Sequence, residues 1–293
     1  MHRAPSRLPH SRSVGRRSPL RQLALALGVL ALAGTLAACA TKPSMPTADA
    51  TVRSELAPSG KLRAAINLGN PILASRDAAS GEARGVSVDL ARELGRRLGV
   101  PVELVTYTAA GKVVDGAKAN EWDIAFVAID PKRGAEMAQT TPYVVIEGAY
   151  LVPQASPIRT NADVDRQGNR VVVGTGSAYD LYLTREIKAA QLVRAPTSPL
   201  VVDTMVRQGY EVAAGVRQQL ESDAKRTPGL RMLDGRFMVI NQAMAMPKGR
   251  PAGERYLGAF VEDMKASGFV AQALARHRIE GAAVAGPGGG AGS

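Results

Sequence analysis

Four residues, Gly174-Thr175-Gly176-Ser177, follow three consecutive valines, Val171 to Val173, and precede a helix-forming stretch. A strand-to-helix turn of this kind presents unpaired N–H groups and the positive end of a helix dipole, which together favour an anion. Ser177 adds a hydroxyl donor, and glycine at 176 lets backbone come close to a small molecule. Ser177 equally suits an ordinary N-cap; the two roles are compatible, because the backbone N–H groups do the binding. Neither a three-glycine dinucleotide fingerprint nor a Gly-Lys-Ser/Thr sequence follows, which excludes a phosphate loop. Asn67 and Asn70 flank Gly69 after another apolar run, where an amide offers both donor and acceptor or simply makes a turn. Thiol and metal chemistry have little material, with one cysteine, Cys39, and three histidines, His2, His10 and His277. No metal site and no cofactor are expected.

The elements around these residues begin with a leader. Residues 1–21 hold six arginines and no acid, and an apolar run of about 14 residues, Leu23 to Leu36, follows. That is short for a membrane span and right for a signal-peptide core. It ends in Leu36-Ala37-Ala38-Cys39, which resembles a bacterial lipobox with Cys39 as the lipidated first mature residue; an incidental cysteine after a simple secretory signal is the alternative. Arg16-Arg17-Ser18-Pro19-Leu20-Arg21 resembles a twin-arginine export motif, with Pro19 where a large apolar residue is usual, or a plain basic segment. Cleavage after residue 38 removes six arginines and lowers the net charge from +11 to +5. Most of the case for nucleic-acid binding leaves with it, and aromatics at 4% do not supply a base-stacking platform.

Residues 39–59, rich in Ala, Thr, Ser and Pro, read as a flexible tether, and residues 281–293, nearly all Gly and Ala, as a disordered tail. Between them strand and helix signals alternate. Strands are expected at Lys61–Asn67, Val102–Tyr107 and Ile124–Ile129, with helices at Ser87–Leu98 and Lys112–Lys118. In the first helix Leu90, Leu94 and Leu98 share one face and Gly99 can cap the end. The pattern restarts at Val171, with a helix to about Ala190, a helix Leu200–Gln208, a strand Glu211–Ala214 and a helix Val216–Ala224. Val144–Val152 and Phe237–Met246 separate the blocks, and helices Glu254–Ala266 and Val270–Arg276 close the chain. This order predicts an α/β protein of two lobes with two crossover strands as hinge. Lobe 1 spans 60–148, with 247–280 returning to it, and lobe 2 spans 149–246.

With these segments in order, residues 60–280 resemble the family 3 bacterial extracellular solute-binding proteins, the periplasmic receptors of polar amino-acid ABC transporters. Gly60-Lys61-Leu62-Arg63, Gly85 to Leu90, Trp122-Asp123-Ile124-Ala125, Asp130-Pro131-Lys132-Arg133, Thr141-Pro142-Tyr143 and Val173 to Ser177 carry the resemblance. It implies the type II periplasmic-binding-protein fold, with a ligand closed between the lobes at the hinge. It also implies that Arg133 forks onto a ligand carboxylate, a task for a planar, always charged group with parallel donors. The Ser177 hydroxyl and the N–H groups at Gly176 and Ala178 would join it. Asn67 and Asn70 would face the rest of the ligand, and Tyr179 is the best placed of the tyrosines to wall the pocket. Trp122, Met244 and Met246 are expected to be packing residues.

Two departures bear on the ligand. Phe126, Val127 and Ala128 stand where amino-acid receptors of the family carry hydroxyls, and Val216 stands where they carry the aspartate for an α-ammonium. An ammonium buried without an acid is several kcal/mol unfavourable. Arg217 could instead meet a second carboxylate, or be a surface residue; Glu147 or Asp130 could supply the missing charge. The expectation is a monomeric, lipid-anchored periplasmic binding protein, without catalytic residues, that passes a small carboxylate-bearing solute to an ABC permease in the inner membrane and binds no nucleic acid. The alternative is a periplasmic lyase on the same scaffold, resembling cyclohexadienyl dehydratases.

Overall fold

The computed structural model describes residues 45–289; the leader, the Cys39 lipidation site and the last tail residues lie outside the described residues. In chain order the first lobe contains α1 (Ala50–Leu56), β1 (Leu62–Asn67), the small hairpin β2 (Ser75–Arg76) and β3 (Ala83–Arg84), and α2 (Val86–Leu98). It continues with β4 (Val102–Tyr107), α3 (Ala110–Lys118), β5 (Ile124–Ala128) and α4 (Pro131–Glu136). The 17-residue strand β6 (Met137–Pro153) then crosses to the second lobe. That lobe holds β7 (Arg170–Gly174), α5 (Ala178–Glu186), β8 (Gln191–Ala195), α6 (Val201–Gln208), β9 (Val212–Val216), α7 (Arg217–Arg226) and β10 (Leu230–Met232). Strand β11 (Met238–Pro247) returns, and α8 (Pro251–Ala266), α9 (Phe269–Arg276) and β12 (Ala283–Val284) finish on the first lobe.

The main sheet runs β4-β1-β5-β11-β6-β9-β7-β8. Each lobe contributes three parallel strands, and the antiparallel pair β11 and β6 joins them. Parallel strands covered by helices on both faces are apolar where they are central, as β5, β7 and β9 are, while the edge strands β4 and β8 carry polar residues. Val171 and Val173 pack with Tyr179 and Leu183 on one side of the second lobe. Val172 packs with Val201, Val202 and Met205 on the other. In the first lobe Leu90, Leu94 and Leu98 of α2 join α8 and α9 in a single core, and Gly99 ends α2 in the left-handed conformation at φ +70°. On the opposite face the buried Trp122 donates its indole N–H to the Val113 carbonyl at 2.8 Å and fills a smaller core with Met137. Met244 and Met246 are buried in the first-lobe core.

Four features differ from the sequence expectation. The stretch read as tether contains α1, capped by Asp49, whose carboxylate accepts from the Val52 N–H at 2.8 Å. Val52 and Leu56 are buried, and Glu55 accepts from the Gly253 N–H at 2.7 Å, fixing α1 to α8. The tail is ordered through β12, which pairs with Val144 and Val145 of β6, and Ala285 is buried. Helix α5 ends at Glu186 rather than near Ala190, leaving Gln191–Ala195 free to form the edge strand β8. A short helix, α4, follows β5. No helix among the described residues is long and apolar enough to cross a membrane.

Candidate functional site

Strand β5 is buried along its whole length and delivers the chain to the mouth of the first lobe. There Asp130 caps α4 by accepting from the Lys132 N–H at 2.9 Å, with Pro131 at the first helical turn. This turn carries the Arg133 side chain inside, leaving it 2% exposed. One terminal nitrogen donates to the Ala128 carbonyl at 3.1 Å, and the other donates across the cleft to the Gly176 carbonyl at 2.9 Å. Its Nε is buried with no acceptor. Asp130, the nearest acid in sequence, is ion-paired with Arg185 of the second lobe at 3.0 Å. Burial lowers the guanidinium below its ordinary value, to about 10, opposed by the Asp130 charge.

The second lobe meets Arg133 with the glycine turn. Gly176 adopts φ +67°, and a Cβ there would lie 2.8 Å from the Gly111 Cα of the first lobe, so the two backbones touch. Both polar groups of Gly176 are engaged: its carbonyl by Arg133 and its N–H by the Asp180 carboxylate at 2.8 Å. Ser177 caps α5, its hydroxyl accepting from the Asp180 N–H at 3.0 Å. The first donors without a helical acceptor are therefore the N–H groups of Ala178 and Tyr179. Asp180 is itself paired with Arg194 at 3.0 Å.

A cavity of about 40 Å³, room for a few water-sized groups, lies between the lobes. It brings together Arg133, Ser177, Ala178, Tyr179, Asn67 and Asn70, six of the residues singled out in the sequence. Asn67 spends its amide oxygen on the Gly69 N–H at 2.9 Å, the turn-making role. The Asn70 amide oxygen is buried with no partner. Tyr179 is buried, which raises its phenol above the ordinary value against the pull of the Ser198 and Ser177 hydroxyls. Gly176 borders an adjoining crevice and not this cavity.

Phe126, Val127, Val216 and Ile240 give the cavity apolar walls, and Phe126 sets its ring edge against Tyr143 at 6.0 Å and 86°. Among the described residues lining it, Arg133 is the one that carries charge at neutral pH. Ser198 and Gln242 also line it and were missed by sequence reasoning. Gln242 had a signal: with Asn241 it forms an amide pair in the crossover Ile240 to Met246, whose other five residues are apolar.

Arg217 is not brought to the cavity. It donates to the Glu147 carboxylate at 2.8 Å and to the Gly235 carbonyl, and Arg236 holds the other Glu147 oxygen at 2.8 Å. Arg236 and Arg217 keep the Glu147 carboxyl below its ordinary range. Neither Glu147 nor Asp130 is free to supply charge to a ligand.

The geometry thus offers a solute cleft, and the comparisons agree. The model of the bacterial extracellular solute-binding proteins, family 3, matches residues 62–278. The chain belongs to that family. No curated protein sequence matches it. Among solved structures, a mutant of ArgBP from T. maritima superposes with a TM-score of 0.67 at 19% identity, over 77% of this chain and 98% of that one. The ancestral amino acid-binding protein AncCDT-1, a precursor of cyclohexadienyl dehydratase, gives 0.65 at 19% identity, over 76% and 97%. An amino acid ABC transporter substrate-binding protein from Streptococcus pneumoniae, bound to L-arginine, gives 0.67 at 16% identity, over 78% and 97%. These likenesses establish the type II binding-protein architecture for this family member.

Proposed function

We propose that this family 3 protein is a periplasmic receptor that captures a small carboxylate-bearing solute between its lobes and presents it to an ABC permease of the inner membrane. One observation carries the reading: Arg133 is a buried guanidinium without a carboxylate partner, set at the seam of two lobes beside the open N–H groups of α5. A buried cation left in that state is unfavourable until an anion joins it. The ligand carboxylate would take the Nε of Arg133 and the N–H groups of Ala178 and Tyr179. Lobe closure around it would form the surface that a permease reads. The Cys39 lipid would hold the receptor, as a monomer, at a membrane.

L-Arginine, bound by the pneumococcal relative, carries two cationic groups, and this cavity has no acid to receive either. The lyase alternative would need a base beside the ligand. The other ionisable lining groups are Tyr143 and Tyr179, both pushed upward by burial, so neither is a base at neutral pH. Thermal-shift titration of the purified protein with carboxylic acids tests the receptor reading. At a hundredfold excess over Kd a true ligand adds about 2.7 kcal/mol of apparent stability, and Arg133→Ala removes the shift. No shift with any acid, or one that persists in Arg133→Ala, would sink it.

A further inference from the structure

We propose that the solute is a short monocarboxylate without an ammonium group, a 2-hydroxy or 2-oxo acid, and that Val216 sets this choice. The inference deepens the receptor reading and rests on it. Charge balance is the first argument. The cavity lining carries one positive charge, on Arg133, and no negative one. A monoanion brings the closed site to neutrality. A zwitterionic amino acid would leave its ammonium without a counter-charge, and a dicarboxylate would leave a second anion without a cation. Either residual charge in a closed, mostly apolar cleft is several kcal/mol unfavourable.

The carboxylates of Asp130, Asp180 and Glu147 are each committed to arginines. Asp130 is paired with Arg185 at 3.0 Å, Asp180 with Arg194 at 3.0 Å, and Glu147 with Arg217 and Arg236 at 2.8 Å. Asp115 and Glu136 do not line this cavity; they border the adjoining crevice, which Arg133, Lys118 and Lys132 line as well, and Glu136 is bridged to Lys118 at 3.5 Å. One of the positions at which the second lobe reaches the cavity, at the end of β9 where α7 begins, is held by the apolar Val216.

What remains for the rest of the ligand is neutral. The buried Asn70 amide oxygen has no donor, and an amide offers one acceptor and one donor group. A ligand hydroxyl can donate to the first, and a ligand carbonyl can accept from the second. An ammonium brings three donors and a full charge to the same place. Phe126, Val127, Val216 and Ile240 suit a short aliphatic tail.

Isothermal titration of the purified protein with matched acids separates the possibilities. The probes are lactate, pyruvate and alanine; 2-hydroxyisovalerate, 2-oxoisovalerate and valine; and malate as the dicarboxylate. In at least one series the hydroxy or oxo acid is expected to bind tenfold or more tightly than its amino acid, with malate weaker still. In Val216→Asp that ratio reverses, and in Val216→Asn, of similar size but neutral, it does not. Equal or tighter binding of the amino acid by the wild type overturns the inference and leaves the receptor standing. Tighter binding of malate overturns it as well. Silence from every probe, in the wild type and Val216→Asp alike, overturns the receptor reading together with it. Should Val216→Asp fail to fold, the wild-type ratios alone uphold or overturn the choice of solute.

Discussion

Two arginines, one in the cleft and one paired with the hinge strand β6, show how differently one side chain can be used. Arg133, in the cleft, is almost wholly buried, touches carbonyls and keeps an unpartnered Nε. Arg217, the first residue of α7, is half-buried and shares Glu147 of β6 with Arg236. The hinge arginine is satisfied by the protein and has nothing left for a ligand. The cleft arginine keeps a polar group to spare. Under the proposed function, the cation that lacks a partner is the one that binds, and the paired one contributes to the fold.

Breaking the cleft side should have the largest effect. Arg133→Met is expected to weaken binding by about a hundredfold or more, yet leave the melting temperature of the unliganded protein unchanged or raised. A well-packed apolar replacement removes a buried unpaired charge, and such exchanges are often neutral or stabilising. Melting curves with and without ligand check both halves, and a large fall in the unliganded curve would contradict the comparison. Gly176→Ala comes next. Its methyl would meet the Gly111 backbone only when the lobes are shut, so affinity should fall about tenfold. The left-handed backbone adds a smaller loss of stability, about 1–2 kcal/mol. Small-angle scattering with saturating ligand should then report a more open molecule than the wild type.

Arg185→Ala removes the cross-cleft pair with Asp130, whose arginine is partly exposed. A change in affinity of about two- to fivefold, shrinking at high salt, is expected from titrations at two ionic strengths. The hinge side should respond least. Glu147→Gln is expected to leave affinity unaltered and lower stability slightly at neutral pH. The Glu147 carboxyl is held below its ordinary value by Arg236 and Arg217. Its contribution is therefore complete above the unfolded carboxylate value of about 4.3 and disappears as pH falls through the lower folded value. Wild-type and Glu147→Gln melting temperatures should converge in acid. Divergence there would mean that Glu147 acts through something other than its charge.

The parts of the fold legible in the sequence are those whose pattern is local. Leu90, Leu94 and Leu98 announce α2 by spacing alone, and Val171 to Val173 announce a strand buried on both faces. The edge strand Gln191–Ala195 escapes a local reading, since its five residues alternate weakly and its pairing with β7 is a tertiary fact. Helix α1 is hidden by composition, although Asp49 followed by Val52 and Leu56 carries a cap and an apolar spacing. For the site, the residue types at 133, 177 and 70 point to the cleft. The fate of Arg217 is invisible in the sequence, because its partner Glu147 lies 70 positions away. The sequence also suggests Gly176 as a ligand contact, whereas Asp180 and Arg133 occupy both of its polar groups.

Helix α1 and strand β12 attach the two described ends of the chain to the same lobe, through Gly253 in one case and the first half of β6 in the other. The described N-terminal end is thus moored on the first lobe, whereas Gly281, just before β12, lies against the Gln218 side chain of α7. The C-terminal segment therefore touches both lobes, and a swing of the second lobe has to slide Gln218 past it.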